Sequence, residues 1–360
     1  MKPVKIAMLS LTHGHSRKYF QTLHENRNLE WVAVTAESEK IRADFLSKGY
    51  PVPCYLDEQE MFTAHPDIEA VVIASANNRH LEQMRACADR GIHILSMKIP
   101  TFDPDEYDEM TRFVQAKGIV CQVELELHYN PVVARLKEMV LEKQAMGPIS
   151  TFNATNITLS PVWAFPWQGI PEDSYGKRVP LRPGDHRFRG GCLSDHPHVF
   201  DLIRWFTNSD FEFLYAEVGP NIRPDLQVED TMLVTGKMKN GTSFLFDPSW
   251  SRLEERLEIP GPGWEIHPKR MEVNVSISGE QGVLLADCFG PNVYHNGAPN
   301  DRYTVQYTYF DEWIGLMEEF ATCIRNRTAP QINLEWHRKT IQAMNACYES
   351  VSTGNPVYLS

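Results

Sequence analysis

The sequence predicts an α/β protein: a doubly wound parallel sheet first, then an α/β domain whose open sheet is mainly antiparallel. Three observations carry this. Short apolar runs alternate with helix-like stretches from Lys5 to Leu125, the pattern of βαβ units. After Pro131 apolar residues alternate singly, the period of a strand covered on one face. The tight turns KNGT and GEQG join such runs, which favours antiparallel pairing.

Taken in order, Lys5 to Leu11 is a short apolar strand and Ser16 to Asn26 a helix. Trp31 to Thr35 is the second strand; Glu37 to Lys48 is a helix closed by Gly49. Ala70 to Ala74 is the strongest strand signal, followed by a helix from Leu81 to Arg90 ended by Gly91. Ile92 to Met97, Asp105 to Lys117 and Ile119 to Leu125 complete the set as strand, helix and strand. Strands from Pro148 to Leu159, Met232 to Lys239, Ser243 to Asp247, Met271 to Gly279 and Val283 to Asp287 make the second sheet. Phe310 to Asn326 and Trp336 to Ser352 read as closing helices. The aromatic, proline-rich stretch between the sets is too long for an idle connection. The domains expected are 1–123 and 124–360. The closing segments are expected to pack back on the first.

With 360 residues, 42% of them hydrophobic, the chain can bury two cores. A formal net charge of −12 argues against nucleic acid and anionic membranes as partners. No stretch approaches the roughly 18 apolar residues of a membrane span. The opening MKPVKIAMLSL is too soon polar for a signal peptide. Seven scattered cysteines without a CxxC pair suit reduced thiols in the cytoplasm better than disulfides or structural zinc.

Four stretches carry a resemblance. They are VVIASANNRH (Val71 to His80), GIHILSMKIP (Gly91 to Pro100), GGCLSDHPHVFDLIRWF (Gly190 to Phe206) and the tail EEFATCIRNRTAPQINLEWHRKTIQAMNACYESVSTGNPVYL. Together they resemble the glucose–fructose oxidoreductase, inositol dehydrogenase and rhizopine-catabolism (Gfo/Idh/MocA) family over nearly the whole chain. The resemblance implies an N-terminal Rossmann domain holding NAD or NADP and a C-terminal domain holding a sugar or cyclitol. It implies hydride transfer between a hydroxyl, or its keto form, and the nicotinamide, in a homodimer or homotetramer.

The resemblance also assigns residues. Ser75, Asn77 and His80 fall on the family's third-strand signature, as cofactor contacts. Lys98 falls on the lysine of Glu-Lys-Pro, which approaches both the nicotinamide ribose and the reacting oxygen; the glutamate is Met97 here and the proline is displaced to Pro100. His198 keeps the family's histidine register and is the expected base. Ser194 stands four residues before it, where the family has aspartate, so Asp195, three before, is expected to share its helix face and orient it.

The turn LSLTHGH departs most. A dinucleotide turn uses three glycines for a tight bend, close backbone approach and helix packing. Ser10, Thr12 and His15 stand at those positions, with His13 and Gly14 between. Three uses stay open: phosphate binding in altered geometry, helix capping by the histidines, or a metal or substrate role for His13 or His15. Ala36 stands where an acid normally holds the ribose, with Glu37 one step on. Ser38 and Lys40 are placed to accept a 2′-phosphate, which leaves NADP open beside NAD. His128, Tyr129 and Trp163 are candidate substrate contacts; Phe165 and Trp167 lie in the same loop as Trp163. No metal is assigned. Two other readings stand beside the oxidoreductase. Asp185, His186, Asp195, His196 and His198, or Glu124, Glu126 and His128 on one strand face, suggest a metal-dependent sugar lyase or hydrolase. The weakened motifs suggest a non-catalytic sugar- or partner-binding member.

Overall fold

A computed structural model describes residues 2–11, 13, 15–158, 191–222, 228–251, 271–289, 292–296, 302–306 and 311–360. The chain divides into two units. Unit one holds the described residues of Met1–Glu126 and Asp311–Arg338. Unit two holds those of Leu127–Val162, Gly176–Phe310 and Lys339–Ser360.

In unit one the elements run β1 (Val4–Leu9), α1 (Ser16–Glu25), β2 (Leu29–Thr35), α2 (Glu39–Ser47), β3 (Cys54–Tyr55), α3 (Glu58–Ala64), β4 (Ala70–Ile73), α4 (His80–Asp89), β5 (His93–Ser96), α5 (Pro104–Lys117) and β6 (Cys121–Val123). The sheet order is β3-β2-β1-β4-β5-β6, and every neighbouring pair is parallel. The strand order reverses beside β1, so the turn after β1 lies at the switch point where such sheets bind ligands. β4 is buried at every residue, as its unbroken apolar run requires. Trp31 of β2 meets Phe20 of α1 and Phe45 of α2 at ring distances of 5.8 Å each. Sequence reading leaves β3 and α3 unmarked. β3 is two residues long, too short to show a period. α3 is a short helix whose signal is its Asp57 cap, which accepts from Glu60 N at 2.8 Å.

Unit two follows with α6 (Pro131–Lys137), β7 (Ile149–Thr158), α7 (Cys192–Asp195), α8 (Pro197–Thr207), β8 (Phe211–Val218), β9 (Met232–Met238), β10 (Ser243–Asp247), β11 (Met271–Gly279), β12 (Gly282–Asp287), β13 (Asn292–Asn296) and β14 (Arg302–Gln306). The chain closes with α9 (Glu312–Asn326), α10 (Leu334–Thr353) and β15 (Val357–Tyr358). The sheet order is β14-β13-β12-β11-β7-β10-β9-β8-β15. Its pairs are antiparallel except β7 with β10. Sequence reading leaves β8, β13 and β14 unmarked, although FEFLYAEV of β8 alternates as a strand should. α8 is buried on nearly every side, with only Trp205 partly exposed. Phe200 meets Phe246 at 5.1 Å and Phe206 meets Phe152 at 6.1 Å, seating the helix on the inner face of the sheet.

Candidate functional site

The turn after β1 opens on a left-handed residue although no glycine stands there. Ser10 has φ +78°, the left-handed region that glycine enters freely and serine rarely does. Its amide donates to Thr35 Oγ1 at 2.9 Å, and its hydroxyl bonds to Glu37. Leu11 N also faces Glu37, at 3.5 Å. A carboxylate just past β2 therefore reaches the β1 turn, where a ribose-holding acid belongs. α1 begins with Ser16, Arg17 and Lys18 and has no acid in its first turn, which suits an anion at its N-terminus. These features fit the adenosine and pyrophosphate of a dinucleotide. Thr12 and Gly14 lie outside the described residues.

His13 is buried and His15 half-buried. His13 N donates to Ala74 O at 3.1 Å, and His13 Nδ1 accepts from His15 N at 3.0 Å. The His15 ring lies edge-on to His13 at 4.8 Å and to Trp313 at 5.1 Å. His15 Nδ1 lies 2.9 Å from Glu124 Oε1, a carboxyl with no solvent exposure. Glu126, also buried, stands with this group: burial, then the neighbouring Glu124, pushes its carboxyl up to about 8, while His15 and Lys98 pull against the rise. Lys98, 3% exposed, follows β5. Two carboxyls, an imidazole and an ammonium thus meet at the carboxyl ends of β1, β5 and β6.

The third-strand signature serves the Lys98 segment. Asn77 Nδ2 donates to Ile99 O at 2.5 Å. The ring nitrogens of His80 lie 3.0 and 3.1 Å from the carbonyl oxygens of Pro100 and Ser75. Burial holds this ring's pKa down at about 4, so it is neutral and donates to one carbonyl at a time. Ser75 Oγ donates to Gln83 at 2.5 Å. All three side chains, expected at the cofactor, bond within the protein, and Asn77 and His80 hold the loop that carries Lys98.

Unit two corrects the helix argument. Pro197 divides the stretch into α7 and α8, with His196 between them at φ −118°, ψ 51°. Asp195 and His198 therefore do not share one helix face. Asp195 Oδ2 accepts from Trp250 Nε1 at 3.1 Å and lies 3.7 Å from His196 Nε2. His196 is buried, 3.2 Å from Thr158 Oγ1 and 2.7 Å from Pro248 O. His198 sits in the first turn of α8, 5% exposed.

The expected strand face of Glu124, Glu126 and His128 does not form either. β6 ends at Val123, and Glu126–Tyr129 is a 3-10 turn. His128 bonds through Nε2 to Asp201 and lies 4.1 Å from the Trp205 ring. Tyr129 is partly exposed. Trp163, Phe165, Trp167, Asp185 and His186 lie outside the described residues. Among the described residues, no group of three or more His, Cys, Asp or Glu is placed to hold a metal ion. Sequence reasoning treated Glu124 and Glu126 only as metal candidates. Two acids in the otherwise apolar VELEL were the available signal for a buried charged site.

Comparison with known proteins bears on both units. Residues 7–125 match a family model described as an oxidoreductase family with an NAD-binding Rossmann fold, and residues 133–285 match a GFO/IDH/MocA C-terminal domain. The chain is 27% identical over 334 residues to a D-xylose 1-dehydrogenase (NADP(+)) of Haloferax volcanii, covering 91% of each. It is 22% identical over 237 residues to a myo-inositol 2-dehydrogenase of Thermotoga maritima, covering 63% of this chain and 64% of that one. Its fold matches an Agrobacterium radiobacter oxidoreductase solved with NAD+, L-tartaric acid and magnesium, with TM-score 0.79 and 17% identity over 99% of this chain and 98% of that one. A levoglucosan dehydrogenase solved with NADH and levoglucosan gives TM-score 0.77 and 18% identity over 99% of both chains.

Proposed function

This chain belongs to the Gfo/Idh/MocA oxidoreductase family, and from that premise we propose a dehydrogenase that moves hydride between a sugar or cyclitol hydroxyl, or its keto form, and NAD. The relatives act on D-xylose and myo-inositol, so a polyhydroxylated ring is the substrate class. The observation that carries the reading is the β1 turn: Ser10 keeps the left-handed bend and Glu37 closes on it. Bound there, NAD would supply the hydride acceptor, or as NADH the donor. Ser10 and Glu37 hold the adenosine end, Lys98 stands at the reacting end, and His198 of unit two is the proposed base.

The Glu37 carboxylate favours NAD. A 2′-phosphate would meet its charge, and a like-charge contact costs several kcal/mol. Calorimetric titration is expected to show NAD+ binding at least about tenfold tighter than NADP+. Glu37→Ser should narrow that gap, mainly by weakening NAD+. If neither cofactor binds at millimolar concentration, the oxidoreductase reading fails for this chain.

The proposal includes a homo-oligomer. Leu233, Leu245 and Leu285 are 47%, 39% and 43% exposed on the outer face of the nine-stranded sheet. Leu245 pairs across strands with Thr235 and Asn153, and Leu285 with Ser276. A broad sheet face of leucines among small polar residues suits a second copy of itself. Light scattering is expected to give a multiple of the chain mass at micromolar concentration. Leu245→Arg with Leu285→Arg should shift it to a single chain; a wild type already monomeric would refute the assignment. None of the seven buried cysteines forms a disulfide, which supports a reducing compartment and so the cytoplasm. No described helix is long and apolar enough to cross a membrane.

A further inference from the structure

We propose that the buried Glu124–Glu126 pair couples a proton to the charge of the nicotinamide, so that the oxidised dinucleotide binds this chain with loss of a proton and the reduced one does not. The inference rests on the reading that unit one takes a nicotinamide dinucleotide.

A dinucleotide spans the carboxyl ends of a doubly wound sheet, one nucleotide over each half. The ribose-holding acid, Glu37, follows β2, which assigns the adenosine to the half containing β2 and β3. The nicotinamide then falls to the half containing β4, β5 and β6. That half ends in charge. Lys98 follows β5, Glu124 and Glu126 follow β6, and His15 reaches Glu124 from the start of α1 at 2.9 Å.

Two neighbouring buried carboxyls cannot both ionise cheaply. Burial and Glu124 keep Glu126 mostly protonated at neutral pH; Lys98 and His15 are the charges that oppose them. A cationic nicotinamide ring adds a positive charge and favours ionised Glu126, so binding expels its proton. The neutral reduced ring gives no such reason.

The proton count then closes within the site. On oxidation of an alcohol the C–H electron pair leaves as hydride to the nicotinamide, and the hydroxyl proton is released. Glu126, ionised while the ring is cationic, would regain a proton once the ring is neutral, in exchange for the one that His198 accepts and then releases. Ionised Glu126, alcohol and NAD+ become protonated Glu126, carbonyl product and NADH, with nothing left over.

The test is equilibrium binding of NAD+ and NADH between pH 6 and 9, by calorimetry in buffers of different ionisation heat. NAD+ affinity is expected to rise roughly tenfold per pH unit below about pH 8 and then level, with release approaching one proton near pH 7. NADH affinity should stay flat. Glu126→Gln, similar in shape but without the proton, should flatten the NAD+ profile and abolish the release, with NADH binding as the check that it folds. Parallel NAD+ and NADH profiles in the wild type would overturn the inference whether or not the variant folds. So would proton release that persists in Glu126→Gln. Failure of both cofactors to bind would overturn it together with the cofactor reading; binding without the pH difference would overturn it alone.

Discussion

His198→Ala is expected to cut turnover on the sugar or cyclitol by roughly 10²- to 10⁴-fold, about 3 to 5 kcal/mol of barrier, the usual worth of general-base help. Hydride can leave a secondary alcohol only if the hydroxyl proton leaves at nearly the same time. His198 is held in the first turn of α8, a helix buried on nearly every side, so its imidazole has a defined position. Affinity for NAD+ should be nearly unchanged, because Ser10, Glu37 and Lys98 belong to unit one and His198 to unit two. The neighbours separate a base from a structural histidine. Asp195 accepts from the Trp250 indole, so Asp195→Asn should cost little turnover. His196 sits between Thr158 and Pro248, so His196→Ala should lower stability more than turnover. Steady-state kinetics with cofactor titration on the three variants decide it. A loss below about tenfold for His198→Ala would be too small for a general base and would move that role to unit one.

Gly191→Ala is expected to destabilise unit two by about 1 to 3 kcal/mol, the range for overpacking, here against a buried, hydrogen-bonded side chain. A Cβ at this glycine would stand 2.1 Å from Glu229 Cδ and 2.2 and 2.3 Å from its carboxylate oxygens. Glu229 is 4% exposed and accepts from Tyr348 Oη at 2.8 Å, while its backbone oxygen takes Cys192 N at 2.9 Å. The glutamate thus anchors the start of α7 directly against the Gly191 backbone. Thermal unfolding should show the midpoint falling by at least about 2 °C. Glu229→Ala should lower stability by itself, and in the double variant the two losses should be less than additive because the clash is gone. An alanine variant as stable as wild type would mean that the carboxylate does not pack on this glycine.

Local pattern made most of the scaffold legible. Strand runs such as AVVI and the alternating MLVTGKM show their period within a few residues, and period follows from which faces are buried. The site was legible in its positions but not in its pairings. The turn after β1, Lys98 and His198 could be located by order along the chain. The Asp195–His198 pair could not survive Pro197, which breaks the helix on which the spacing argument depended.

The sequence by itself determined two sheets of different kind, the place of the β1 turn and the end of the strand on which Lys98 stands, because each is set by neighbours a few residues away. Only the tertiary structure decided that Asn77 and His80 brace the Lys98 segment, that Asp195 turns to Trp250, and that His15 meets Glu124 across 109 positions of chain. The contacts at Lys98 and Glu124 depend on the order in which β1, β4, β5 and β6 lie side by side, and that of Asp195 on how unit two brings Trp250 to it, in each case on which side chains come within hydrogen-bond reach. Hydrophobic periodicity carries no record of either.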